Sequence, residues 1–481
     1  MPSRSTSCDV LVVGAGAAGL YVALTAADAG ANVCLVSRKA LDQTASYWAQ
    51  GGLAAALAPG DSAEQHAADT ITAGRGLCRP AAVRVLTDEA PRAVRDLRRR
   101  GVRFDTDPGG HLQLGLEGGH GQRRVVHAGG SATGRRITRT LTALTANHPQ
   151  ITVSEGMSVQ GLWSDGERCV GAITDSGPLP ARATVLATGG SAALWSRSSN
   201  PRGAVGAGVV LAEAAGARLA DLEFCQFHPT ALALPGRRLD GFLITEAIRG
   251  EGATLLGADG QRFTTELAPR DAVTVDVLAR MAGDALPYVR LDMTGVDPAR
   301  FPNVAEALAE ASLDPRTETI PVSPAAHYVI GGVQTDLAGR SSLPGLFAVG
   351  ECAANGLHGA NRLASNSLSE CFVFGRRAAQ AALDEPDPPP GVPVPEWRFP
   401  APTEATRDAV WRFAGPVRHA DGLAELLDSD YPLARAIARH ALARTESRGG
   451  HRRSDHPDAD AELDGVHLVS GTGDELLRER W

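Results

Sequence analysis

The chain has 481 residues, a formal net charge of −8 and 43% hydrophobic residues. That length exceeds a single compact core, so two or three domains are expected. The acidic balance gives no electrostatic basis for nucleic-acid binding, and no run of about 18 apolar residues offers a membrane span.

Residues 1–7 read as a short polar leader, not a signal peptide, and a cytoplasmic location is the simplest expectation. Seven scattered cysteines without a C-x-x-C pair suggest neither a disulfide framework nor a zinc ribbon. Lys39 is the single lysine, so Schiff-base chemistry has one candidate, in a loop.

The stretch 9–37 organises the rest. Val10 to Val13 is an apolar run of the kind a buried parallel strand shows. Gly14, Gly16 and Gly19 then form G-x-G-x-x-G, residues 20–29 read as a helix, and residues 33–36 return as a strand. In this context Gly14 allows the tight turn, Gly16 admits a pyrophosphate to the backbone and Gly19 lets helix and strand pack closely. The second strand ends on Ser37-Arg38, where an NAD site would carry an acid. An NAD ribose contact is therefore not supported, whereas Arg38 suits a phosphate edge or a solvated surface.

Residues 44–57, with Gly51-Gly52, suggest backbone packed against a flat ligand, or a glycine loop entering a helix. Helices are expected over 63–74 and 82–101, the latter with an arginine-rich end. A glycine-studded loop from Leu116 carries Glu117, His120 and His127 and leads into a helix at Thr133. Strands are expected at 151–153, 169–174 and 183–188, and a helix over 206–216. Between Asp259 and Pro324 the composition turns more polar, as an inserted domain would. Strands resume at 333–336 and 345–351. The proline run within 386–402 is the best linker. Helical periodicity follows over 402–448, and the stretch 447–458 is strongly polar.

Taken together the motifs resemble the succinate dehydrogenase/fumarate reductase flavoprotein family, over nearly the whole chain. They are GAGAAGL at 14–20, AQGG at 49–52, EGGH at 117–120, HAGG…ATG at 127–134, ATGG at 187–190, QFHPT at 226–230, TEAIRGEG at 245–252, APRD at 268–271, AAHYVIGG at 325–332 and GECAANGLHGANRLASNSLSE at 350–370. EGGH and the 447–457 segment point, within the family, to the branch that acts on L-aspartate. The resemblance implies an α/β fold with a Rossmann-like FAD-binding domain over 1–221 and 329–398. An inserted α+β capping domain would cover 222–328, and an abbreviated C-terminal helical domain 399–481.

The resemblance further implies FAD as cofactor. Its contacts would fall on Gly14, Ala15, Gly16, Ala17, Ala18, Gly19 and Arg38, then on Ala45, Ser46, Tyr47, Trp48, Ala49, Gln50, Gly51 and Gly52, and finally on Glu351, Ser367 and Leu368. Glu351 at a strand end can hold a ribose hydroxyl. A helix beginning at 366–368 would turn N–H groups toward the pyrimidine end of the flavin, with Ser367 alternatively an ordinary N-cap. The implied active-site set is His228, Thr245, Arg270, His327 and Arg362, with Glu117. Arg362 can grip one carboxylate bidentately while His228, Thr245 and His327 donate to the other. The family takes the arginine matching Arg270 as acid/base; because guanidinium stays protonated, a proton-relay or electrostatic role is expected. Glu117 can recognise an ammonium.

The implied reaction is oxidation of L-aspartate to iminoaspartate, with hydride passing from C2 to flavin N5. Fumarate or O2 would reoxidise the flavin, and a functional link to quinolinate synthase in NAD biosynthesis follows. Alternatives are a soluble succinate dehydrogenase or fumarate reductase, or a degenerate FAD-binding homologue. The membrane-complex members attach FAD to a histidine preceding AQGG; Ala45 here implies non-covalent FAD and no membrane partner. Ala207 replaces a usual FAD-contacting acid in G-D-G, Ser131 replaces a usual Asp, and the segment between Phe263 and Arg270 is short. No metal site is implied.

Overall fold

The computed structural model describes residues 8–41, 44–395, 399–470 and 475–481. The polar leader and residues 396–398 of the proline linker lie outside the described residues.

The strand Cys8–Val13 is the axis of a seven-stranded sheet. It pairs in parallel with Val33–Ser37 on one side and Gly177–Leu186 on the other. Ile151–Glu155 extends the first side in parallel, and Leu346–Ala348 also pairs in parallel with Gly177–Leu186. Cys169–Thr174 and Val159–Ser164 add antiparallel pairings, the latter a strand not expected from the sequence. The apolar run is explained by two-sided burial. Val10 and Val12 enter one core with helices Ala17–Asp28 and Asn366–Ala382, and Leu11 and Val13 enter another. The first helix begins at Ala17, earlier than expected, because the glycine turn is itself its N-terminus. A Cβ at Gly19 would overlap the Gly14 carbonyl, so this glycine is required for packing.

A second sheet carries the segment between the two parts of this unit. Its order is Cys225–Leu232, Ile320–Val329, Val289–Asp292, Thr254–Leu256, all antiparallel. Helix Arg270–Asp284 packs Val273 and Val277 into its core. The sheet takes in residues well before Asp259, where the composition turns polar. Strand Cys225–Leu232 is buried at every position, so its edge with the first unit leaves no compositional mark.

Helices Glu404–Phe413, Ala420–Glu425 and Pro432–Ala443 follow the linker. Two strands that periodicity did not reveal come next, Val466–Ser470 and Leu476–Arg480. They complete a five-stranded sheet through Leu219–Ala220. The polar stretch 447–458 enters the interior over its first half, where Arg448, His451 and Arg453 are buried. Charge pairing makes that burial tolerable. Arg444 donates to Glu223 at 2.5 Å and to Glu446 at 3.0 Å, and Glu446 also accepts from Arg448 at 2.9 Å. Among the described residues no helix is long and apolar enough to cross a membrane.

Removing Arg444 leaves the buried Glu223 without its ion-pair partner, while Glu446 keeps Arg448. Arg444→Met should therefore destabilise the fold by about 3–5 kcal/mol, read as a lowered urea midpoint.

Candidate active site

A cavity of about 950 Å³ runs between the large sheet and the inserted segment. Helices Ala17–Asp28, Ala207–Ala214 and Asn366–Ala382 all begin on it. Their N-caps Gly16, Gly206 and Ser365 make no side-chain cap and line its wall. Free N–H groups and positive dipole ends thus converge on one space, a setting for a ligand rich in phosphate or developing negative charge. Gly14, with φ +109°, turns the chain tightly beneath it, where a Cβ would overlap the Ala187 carbonyl.

Of the residues expected to touch the cofactor, Gly14 to Ala18, Arg38, Ala45 to Gly52, Glu351, Ser367 and Leu368 line this cavity. Gly19 does not; its place is the helix–strand packing. Arg38 donates to the Gly203 carbonyl at 3.0 Å. Ser46 accepts from the Ala17 N–H at 3.0 Å, tying the 45–48 turn to the first helix. Ser367 lies inside the last of these helices, so it is not its N-cap. Glu351 accepts from the Val329 N–H at 3.1 Å, and burial pushes its carboxyl up to about 7. Ala207 lines the cavity, and no acid stands in its place.

Glu117, His228, Thr245, Arg270, His327 and Arg362 come from separate segments and all face the same cavity. His228 and His327 sit on paired strands with a register shift between Gln226 and Phe227. His327 is the extra residue of that bulge, which sets its ring 5.2 Å from the His228 ring instead of opposite Phe227. The Thr230 N–H donates to His228 Nδ1 at 3.3 Å, which leaves the proton on Nε2; that atom is buried and unpartnered. Ser199 pairs with His327 Nδ1 at 2.8 Å. Thr245 caps helix Glu246–Gly250 by its backbone alone, so its hydroxyl remains available.

Two guanidiniums meet here. Arg270 donates from Nε to Glu246 at 2.6 Å and from Nη1 to Gln226 Oε1 at 3.0 Å. Arg362 donates from Nη2 to the same Gln226 oxygen at 3.2 Å and from Nη1 to Ser367 at 3.2 Å, and lies 4.7 Å above the Tyr328 ring. No carboxylate among the described residues forms an ion pair with Arg362, and its Nε is buried without a partner. Glu117 accepts from the Ser365 hydroxyl at 2.6 Å.

Burial and the Arg270 charge lower Arg362 to about 10. The same two causes hold His228 and His327 well below the usual imidazole range. Glu246 feels burial pushing it up, but Arg270 and Arg249 outweigh this and hold it down at about 2. The site therefore presents neutral imidazoles, an ionised Glu246 and a surplus of positive charge, which suits a dicarboxylate.

Several residues escaped the sequence reading although their motifs were visible. Gln226 bridges both arginines, Glu246 anchors Arg270, and Arg249 stands 3.7 Å beyond Glu246 with buried unpartnered nitrogens. Asn361 accepts from Gln226 at 2.8 Å. Each lies within or beside a quoted motif, but its role arises only from packing between segments. His120 and His127 do not line the cavity; His120 pairs with the Ala364 carbonyl at 2.8 Å and supports the loop behind Ser365.

Residues 9–368 match the family model described as an FAD binding domain, and residues 423–474 match fumarate reductase flavoprotein C-term. The chain belongs to the succinate dehydrogenase/fumarate reductase flavoprotein family. FAD is the cofactor of this flavoprotein. The chain is 44% identical to an L-aspartate oxidase of Agrobacterium fabrum, covering 94% of the chain and 92% of that protein. It is 40% identical to one of Streptomyces coelicolor, covering 97% and 92%. Among solved structures it is similar to a chain of E. coli quinol fumarate reductase, with TM-score 0.87 and 28% identity over 98% of this chain and 96% of that one. Mycobacterium smegmatis Sdh1 in complex with UQ1 gives TM-score 0.84 and 30% identity over 99% and 94%.

Because burial and the neighbouring arginines depress both imidazoles, neither charges near neutrality. Succinate affinity, followed by perturbation of the flavin spectrum, should show no histidine step between about pH 6 and 8, leaving Glu351, pushed up to about 7, as the group on this wall that titrates there. Tightening toward pH 6 that persists in Glu351→Gln would show a histidine gaining a proton on binding.

Proposed function

We propose that this flavoprotein oxidises L-aspartate to iminoaspartate, with fumarate or O2 as the final acceptor, as the first step of NAD biosynthesis through quinolinate. The reading is carried by one juxtaposition: a buried carboxylate, Glu117, shares a cavity with a cluster of cationic and neutral donors around Arg362. L-Aspartate brings two carboxylates and an ammonium to match. Succinate brings nothing for Glu117 to recognise. The names of the relatives at 40–44% identity agree with this choice.

FAD held by the 14–18 turn and the 45–52 segment would supply hydride acceptance from the substrate C2. The residues of the chain bind and orient the substrate for it. Arg362 grips one carboxylate, using donors that no protein carboxylate occupies. His228, Thr245 and His327 donate to the other, His228 through its unpartnered Nε2–H. Two-ended clamping fixes which carbon faces the flavin. Arg270, held by Glu246, steadies charge at the reacting end; Glu246 and Arg249 give a buried chain of groups able to relay its proton. Ala45 offers no nucleophile at the cavity wall, so FAD is held non-covalently. Imines hydrolyse in water, so a consuming enzyme such as quinolinate synthase is expected to work in functional linkage in the cytoplasm. We assign residues 1–221 and 329–398 to FAD binding, 222–328 to a cap over the substrate and 399–481 to the C-terminal domain.

The test is anaerobic reduction of the FAD-loaded protein. L-Aspartate should bleach the flavin band, and succinate should bind without bleaching it. Bleaching by succinate alone would move the protein to the dehydrogenases, and bleaching by neither would mark a homologue without turnover. Glu117→Gln removes a charge-assisted contact worth about 1.5–3 kcal/mol, so KM for L-aspartate should rise roughly 10- to 100-fold while succinate affinity stays unchanged. Arg270→Lys should lower kcat by about 10²–10⁴; near-full turnover would exclude the relay or electrostatic role.

A further inference from the structure

We infer that Gly449 and Gly450, far along the chain from every motif that faces the cavity, position the substrate clamp. They occupy the tip of a tight turn. The Arg448 N–H donates to the His451 carbonyl at 2.7 Å, and the His451 N–H donates back to Arg448 at 2.9 Å. Neither glycine lines the cavity. The tip is wedged between the two backbone segments that carry the clamp. The Gly450 N–H donates to the Ala360 carbonyl at 2.8 Å, two residues before Arg362. On its other side Gly450 faces Cys225, the neighbour of Gln226, with room for no side chain: a Cβ would stand 2.6 Å from the Cys225 oxygen. At Gly449, with φ +52°, a Cβ would overlap the Ala360 carbonyl.

The two segments are the ones whose spacing matters. Gln226 accepts from Arg362, and its amide donates to Asn361 at 2.8 Å and to the Arg362 carbonyl at 2.8 Å. A change in separation of a few tenths of an ångström would therefore be felt directly at both guanidiniums. The tip cannot relax away, because its base is locked. Arg448 donates to Glu446 and, at 2.6 Å, to the Arg75 carbonyl; His451 pairs with Arg418 at 2.8 Å and with the Arg444 carbonyl at 3.1 Å. The buried charges of the polar tail thus have a use beyond cohesion: they hold a backbone spacer of fixed thickness behind the active site.

Gly449 and Gly450 are positioning residues, and the inference rests on the cavity being the dicarboxylate site. The experiment measures succinate Kd by flavin perturbation, KM for L-aspartate, FAD Kd and Tm on the flavin-loaded full chain. Gly450→Ala should raise succinate Kd and L-aspartate KM together by at least tenfold while FAD Kd stays within about twofold of the parent. A merely structural glycine would lower Tm and flavin content but leave the folded, loaded fraction with parental succinate affinity, and that result overturns the inference. Should Gly450→Ala fail to fold, Arg448→Lys decides. It keeps the charge but loses the two-pronged grip on Glu446. A rise in succinate Kd of about threefold or more supports the spacer, and an unchanged Kd overturns it. If the parent protein itself binds no succinate and is not reduced by L-aspartate, the reading of the cavity fails instead.

Discussion

Two like charges are held within reach of one amide oxygen, and the rest of the site depends on that arrangement. Arg270 and Arg362 both donate to Gln226 Oε1, yet only Arg270 has a carboxylate partner, Glu246. Burying a second guanidinium beside the first is unfavourable unless its desolvation is offset. Part of the offset is the Tyr328 face beneath Arg362. The Glu351 and Glu117 carboxylates add attraction at longer range, yet Arg362 still sits below its ordinary range, and a bound anion would offset the remainder. The depressed pKa of Arg362 expresses the same imbalance. Substrate recognition here is the completion of an electrostatic deficit, not an addition to an already satisfied surface.

The same deficit shapes the other groups. His228 and His327 remain neutral because they are buried and face those cations, so they offer hydrogen bonds instead of added charge, His228 in the tautomer that the Thr230 N–H fixes. Glu117 stands apart from the arginines' direct contacts and is held by the Ser365 hydroxyl. A site that was only positive would favour any small dicarboxylate. One negative group, placed among groups that select carboxylates, is what lets an ammonium-bearing acid be preferred. Discrimination between L-aspartate and succinate thus rests on one carboxylate, while affinity for both rests on shared cations.

Much of this was legible in the sequence because each functional residue lies in a short, ordered motif. G-x-G-x-x-G within strand–turn–helix–strand announces its own geometry, since all its contacts are local. What could not be read is what depends on contacts between segments. Gln226 and Glu246 were in plain view inside QFHPT and TEAIRGEG, but nothing local distinguishes a bridging amide or an anchoring acid from its neighbours. The bulge that brings His327 beside His228 depends on strand register, which these segments do not declare. The two final strands were missed for a similar reason. VHLVS and LLRER are short, and they become strands by joining a sheet whose other members lie more than a hundred residues earlier.

The polar stretch after residue 446 shows the limit of composition most clearly. Arginine, histidine and aspartate in succession describe a solvated tail by every compositional rule. Folded, the arginines pair with carboxylates, Arg448 with the Glu446 that Arg444 shares and Arg453 with Asp455, while the neutral His451 accepts from Arg418. Such a network contributes little net cohesion compared with an apolar core of equal volume. It does, however, impose direction, because each ion pair and hydrogen bond fixes an angle as well as a distance. Apolar packing of the same segment would hold it in place but leave its tip free to shift. A directional interior is the physical means by which a segment remote in sequence can set the spacing between Gln226 and Arg362.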